Sequence, residues 1–223
     1  MKRSAAQRRT VPRARGHAPG GQPGHSSAAL TGAEFVTLLK REQVADPHNA
    51  ELRAGRAVRA RPLTGQAAGV LQRLEQLLVQ ACTGTALQVR ARPLVRLGPA
   101  DLWRPHLGLM PARETSTIHA SGATTEAASS RLIVLVGRGE VGPERLAGYA
   151  AAGVGELWSV SLCAGWTVRY RSPWAGRYQS RTLWYPGEGV PVAALSGAPV
   201  EALEEGFQPA GLFAGGPDCG GRP

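Results

Sequence analysis

The chain is poor in the residues that would narrow its function directly. No apolar run approaches the roughly 20 residues that a membrane-spanning helix needs. The opening stretch, MKRSAAQRRTVPRARGHAPGGQPGHSS, also lacks the apolar centre of a secretory signal. A cytoplasmic protein without membrane attachment is the expectation. Cysteine is scarce: Cys82, Cys163 and Cys219 lie far apart with no C-x-x-C spacing, so neither a disulfide framework nor a structural zinc site is expected. Lys2 and Lys40 are the only lysines, so nearly all of the 26 basic residues are arginine. Acidic residues are missing from positions 1–28, where Lys2, Arg3, Arg8, Arg9, Arg13 and Arg15 supply +6 of the formal net charge of +10.

Such an arm buries too little apolar surface to order itself, and its charge suits polyanions such as nucleic acid. The same arginine bias, in a chain also heavy in Ala, Gly and Pro, is what a GC-rich genome yields without selection for binding. Residues 1–29 are read as a disordered basic arm, 30–207 as the folded domain and 208–223 as a flexible Gly/Pro-rich tail. With 223 residues, 43% of them hydrophobic, the chain is long enough to bury a substantial core.

Order is expected from Thr31, which forms a T-x-x-E capping box with Glu34 ahead of Phe35, Val36, Leu38 and Leu39. The stretch ELRAGRAVRARP suggests a hairpin turning at Ala54-Gly55. From Gly65, the residues Val70, Leu71, Leu74, Leu77, Leu78 and Ala81 recur at helical spacing until Gly84. Leu87, Val89 and Ala91 alternate with polar residues as in a half-buried strand, and a second extended run covers His106 to Met110. Glu114 to Ser130 reads as an irregular surface connection. The continuous apolar run Leu132 to Val136 suits a strand buried on both faces. A helix follows from Pro143 to Ala152, ended by Gly153. Trp158, Val160 and Leu162, then Trp166, Val168 and Tyr170, mark one face each of two strands. Strands are also expected over Arg177–Tyr185 and Val190–Leu195. This order predicts an α+β (α/β-like) domain with a mixed central sheet flanked by helices.

Several of these segments, taken in order, resemble the "putative restriction endonuclease" family of the PD-(D/E)XK nuclease superfamily, once catalogued as a domain of unknown function. The match rests on AEFVTLL, ELRAGRAV, the helix from Gly65, VRLGPADLWRPHLGLM, RLIVLV, YAAAGVGELWSVSL, WTVRYRSPWAGRY and the Gly187-Glu188 turn. It covers roughly residues 30–207. The resemblance implies a restriction-endonuclease-like fold, Mg²⁺ as cofactor, DNA as substrate and metal-assisted phosphodiester hydrolysis. In such chemistry a hard ion held by carboxylates positions the attacking water and neutralises the leaving oxygen.

The catalytic positions implied by the resemblance are Glu51, His106, Leu135 and Arg145. Glu51 stands at the family's early acidic position and is the remaining candidate metal ligand. His106 follows Arg104-Pro105 where the family has aspartate, and Leu135 replaces the strand glutamate. Arg145 replaces the helix lysine four residues before Tyr149, and Gln66 stands at best for the histidine that opens the long helix. Leucine cannot ligate a metal and neutral imidazole brings no negative charge, so Mg²⁺ would be nearly unheld. The pattern is that of a retained scaffold with lost chemistry.

Each position also has a plainer reading. Glu51 is otherwise a surface strand residue paired with Arg53 or Arg56, and His106 a strand histidine satisfied by a local hydrogen bond rather than a ligand for Zn²⁺ or Mn²⁺. Glu114 and His119 offer replacement ligands in the irregular connection. Glu140 or Glu144 offers a carboxylate that migrates into the vacated position. Arg171, Arg177 and Arg181, near Trp174 and Trp184, form an arginine-plus-aromatic set suited to DNA, or else an exposed hairpin. Three functions remain open: a Mg²⁺-dependent endonuclease with rebuilt ligands, a catalytically degenerate homologue that binds DNA or a protein without cutting, and a structural module whose charge is compositional. Pairing of two protomers through an exposed C-terminal strand edge is a further expectation.

Overall fold

A computed structural model describes residues 29–60, 63, 65–112, 124–185 and 190–195. Residues 1–28 of the basic arm, the C-terminal tail, Glu114, His119, Gly187 and Glu188 lie outside the described residues, as does the side chain of Gln66. The chain begins with α1 (Gly32–Lys40), the hairpin β1 (Ala50–Arg53) and β2 (Arg56–Arg59), then α2 (Gly65–Ala81) and β3 (Leu87–Ala91). Next come β4 (Leu94–Gly98), β5 (Asp101–Trp103), β6 (Leu107–Pro111), the short β7 (Thr124–Glu126) and β8 (Leu132–Gly137). Helix α3 (Pro143–Ala151) leads into β9 (Glu156–Ser161), and β10 (Trp166–Trp174) and β11 (Arg177–Trp184) form the last hairpin.

The capping box at Thr31 is formed reciprocally. The Glu34 amide donates to the Thr31 hydroxyl at 3.3 Å, and the Thr31 amide donates to the Glu34 carboxylate at 2.8 Å. The β1–β2 hairpin turns at Ala54 and Gly55, both with positive φ (46° and 74°), the twist that a two-residue hairpin needs.

The fold is α+β, with the strands in two mixed sheets rather than one. The smaller sheet has the order β2-β1-β5-β4-β7, and the larger has β11-β10-β9-β8-β6-β3. Within the larger sheet β8 and β9 are parallel, as a strand–helix–strand crossover through α3 requires. Both faces of β8 are buried. Val134 and Val136 join Trp158, Val160 and the apolar stripe of α2 on one side. Ile133 and Leu135 join Tyr149 of α3 and Val95 of the smaller sheet on the other. Helix α1 closes the outer face of the smaller sheet through Phe35 and Leu39 against Leu52, Leu94 and Leu102.

Two expectations are corrected. Thr124–Glu126, expected to be irregular, is strand β7, paired in parallel with Leu94–Arg96. Val190–Leu195, expected as a strand, contains a 3-10 turn at Ala193–Leu195. Pro191 has no amide to give a ladder, and the Ala193 amide donates to the buried Glu156 carboxylate at 3.2 Å instead of to a neighbouring strand.

Candidate active site

The four positions singled out by resemblance meet where the smaller sheet abuts the α3 face of the larger one. Glu51 comes from β1. Arg145 comes from the first turns of α3, His106 from the segment between β5 and β6, and Leu135 from β8.

Glu51 is not a surface residue, as the plainer sequence reading had it; its side chain is completely buried. Its Oε1 accepts from Arg145 Nη2 and from the Arg104 amide, both at 3.0 Å. Its Oε2 accepts from Arg53 Nε at 2.9 Å and Nη2 at 2.7 Å. Arg53 is thus the partner, and Arg56, exposed on the other strand of the hairpin, is not. A carboxylate has about four lone-pair directions; here four N–H groups occupy them, three belonging to guanidinium cations. Bonds of this charge-assisted kind are roughly twice as strong as neutral ones.

The two paired arginines share a platform. Arg53 and Arg145 lie 5.5 and 5.8 Å from the centroid of the Trp103 ring, and Trp103 meets Tyr149 edge-on at 5.3 Å. Burial pushes the Tyr149 hydroxyl up to about 12. Arg104 acts differently: Nε donates to the Ala50 carbonyl, Nη1 to that of Arg92 and Nη2 to that of Pro47. It ties β1, its preceding loop and the end of β3 into one frame. Arg92 contributes a half-buried guanidinium whose Nε and Nη2 have no partner among the described residues. Burial, with help from neighbouring Arg145, holds its pKa below the ordinary arginine range.

His106 closes a strand end. The amides of Val134 and Val136 point toward β6, but β6 pairs with β8 only from Leu107↔Val134 onward. The Val136 amide, left beyond the ladder, donates to His106 Nδ1 at 2.7 Å. That bond places the single ring proton of the neutral imidazole on Nε2. Burial first, then the charges of Arg145 and Arg92, push the His106 pKa down to about 4. Leu135 is buried among Ile133, Met110, Tyr149 and Leu157.

These residues do not fit Mg²⁺. The ion takes hard oxygen ligands in near-octahedral order. Here Glu51 is covered by four donors, His106 gives its Nδ1 lone pair to a backbone amide and Leu135 has no donor atom. The proposed replacements face elsewhere. Glu140 is engaged by the Tyr170 hydroxyl and by Arg181 at 3.1 Å, and Glu144 is an exposed acid in the first turn of α3. Among the described residues no group of three His, Cys, Asp or Glu side chains is placed to hold a metal ion.

Of the arginines expected on the last hairpin, Arg181 is bound to Glu140, and Arg171 lies 4.0 Å from the buried Glu156. Arg177 is exposed opposite Trp174, whose ring is 75% exposed at the hairpin tip. Trp158 is core, and Trp166 and Trp184 are partly buried.

Sequence reasoning did not single out Arg92, Arg104 or Trp103 as parts of the site. In an arginine-rich chain a buried guanidinium leaves no local signal, although Trp103 and Arg104 do stand beside the proline that the motif required.

No protein-family model matches this sequence, and no curated protein matches it. No helix among the described residues is long and apolar enough to cross a membrane. Among solved structures the chain is similar to the crystal structure of "a putative nuclease belonging to DUF820" from Anabaena variabilis ATCC 29413. The two are 12% identical with a TM-score of 0.59, over 82% of this chain and 97% of that one. At that identity the likeness is one of architecture alone.

Proposed function

We propose that this protein is a nuclease-fold DNA-binding protein that engages the phosphodiester backbone without metal-dependent cleavage. The observation that carries the reading is Glu51: the one carboxylate left at the catalytic positions is enclosed by Arg53, Arg145 and the Arg104 amide. A guanidinium provides fixed positive charge and hydrogen-bond donors, but it cannot bind and deprotonate a water as a metal ion does. The net charge of +10 and the exposed Trp174–Arg177 pair at the hairpin tip support contact with a polyanion. Descent from a cleaving enzyme of the PD-(D/E)XK type is part of the proposal and rests on the motif order.

Supercoiled plasmid incubated with the protein in Mg²⁺ or Mn²⁺ tests it. The expected result is binding without nicking, with nicks appearing only when His106→Asp and Leu135→Glu are introduced together. Nicking by the unaltered protein that disappears in Glu51→Ala would overturn the reading and establish an active enzyme. Loss of all DNA affinity at physiological salt would leave only diffuse charge and favour a structural module.

A further inference from the structure

Three guanidinium groups, those of Arg53, Arg92 and Arg145, surround the single carboxylate of Glu51. Two of them share its oxygens. Arg92 does not reach it with a hydrogen bond, and its Nε and Nη2 remain unpartnered although both atoms are covered. Arg145 has the same deficit at Nε. The other acid that attracts Arg92, Asp46, is already bound by Asn49 at 2.8 and 2.9 Å and by Arg59 at 2.9 Å. Guanidinium keeps its proton in any protein setting, so the excess charge cannot be relieved by deprotonation. Buried donors without acceptors and cations without counter-charge are both unfavourable, and few are found unless a ligand satisfies them.

The remaining chemistry of the cluster points the same way. His106 accepts with Nδ1, so its Nε2 is a neutral N–H donor. Its backbone carbonyl takes the Arg92 amide at 2.9 Å, which fixes the two residues side by side. Arg53 and Arg145 are held against Trp103, an arrangement that restricts both guanidiniums before any ligand arrives. The side chains of Arg53 and Arg145 are 44% and 28% exposed, so the cluster opens to solvent.

We propose that Arg53, Arg92, Arg145 and His106 form a metal-independent binding site for a tetrahedral oxyanion, specifically a phosphate group. Arginine forks match phosphate oxygens in paired hydrogen bonds, and a single anion on the open side of Arg53 and Arg145 would answer the surplus charge to which the covered Arg92 contributes. The site deepens the DNA-binding reading and rests on it only for the source of the phosphate, a polymer backbone or a free phosphate.

Thermal unfolding of the full chain in rising inorganic phosphate, against chloride at equal ionic strength, tests the site, alongside anisotropy of a labelled duplex. Phosphate is expected to raise the midpoint beyond the chloride control. Arg92→Gln should weaken phosphate by about tenfold, through the loss of one nearby positive charge. Arg92→Lys should retain part of the affinity through its charge. Arg92 makes no side-chain hydrogen bond at Nε or Nη2, so neither variant removes one there. If phosphate also displaces the duplex and Arg92→Gln weakens the duplex in parallel, the phosphate is that of the polymer. If duplex binding is absent or indifferent to Arg92 while the phosphate effect persists, free phosphate is the ligand; the site then stands and the DNA reading falls. A phosphate effect no larger than that of chloride, or equal in Arg92→Gln, overturns the proposal without touching the test of cleavage.

Discussion

His106 spends its side chain on the backbone. At the point where the resemblance calls for a metal-binding aspartate, the side chain completes a backbone ladder instead. It does so as the neutral imidazole. Its pKa is lowered from 6.5 to about 4 on folding, so the unfolded chain binds the proton more readily between those values. Stability from this group is full above pH 6.5 and is lost as pH falls toward 4, by roughly 3 kcal/mol. Denaturant unfolding of the unaltered protein and of His106→Asn, whose amide oxygen can still accept, should differ in slope over that window and run parallel above pH 7. Equal slopes would show that the imidazole is not held neutral. Both readings of His106 were visible in the sequence, but not the choice between them. That choice depends on where β6 stops pairing with β8, a tertiary fact with no local signature.

At the scale of elements, α3 fits the site only because residue 148 has no side chain. A Cβ there would lie 2.4 Å from Trp103 Cη2, nearer than such atoms ever come. Gly148→Ala should displace the indole that supports Arg53 and Arg145, at a cost of about 1–3 kcal/mol. Near-ultraviolet circular dichroism and the unfolding midpoint would register the change; an unshifted midpoint would mean that the helix packs less closely. The sequence disclosed this element well, from Pro143 at its start to Gly153 at its end, as it did α1, α2 and the Ala54-Gly55 hairpin. All four carry local chemistry that enforces them, such as caps, apolar periodicity or turn glycines. It did not disclose β7, whose Thr-Thr-Glu has no pattern of its own and is a strand only through pairing with β4. It also misplaced the segment after Val190, where a valine-rich composition suggested a strand and the acceptor on Glu156 drew the backbone into a turn. Motif order pointed to Glu51, His106, Leu135 and Arg145, which the fold brings to one place. The arginines that complete them were not legible, because burial distinguishes them and composition does not.

For the whole molecule, the expectation of one central sheet gave way to two, with the ion cluster at their meeting place. Removing one partner of a buried pair leaves its charge stranded and typically costs 3–5 kcal/mol, whereas removing both costs less. Arg145→Met should therefore destabilise by about 3 kcal/mol, since Arg53 remains on Glu51. Glu51→Gln combined with Arg145→Met should cost less than the two single changes added together, as measured by denaturant titration. Strict additivity would mean that the pair is not coupled in solution.

The bond between Glu51 and Arg145 joins residues 94 apart in the chain. A contact of such reach forms only after the intervening loop has been closed by other interactions, and local helices and hairpins do not need it. In kinetic terms the cluster is a latch set late. Changes there should leave the refolding rate nearly constant while unfolding quickens by roughly a hundredfold for a 3 kcal/mol loss. The cluster between the two sheets would then govern how long the native molecule lasts once formed.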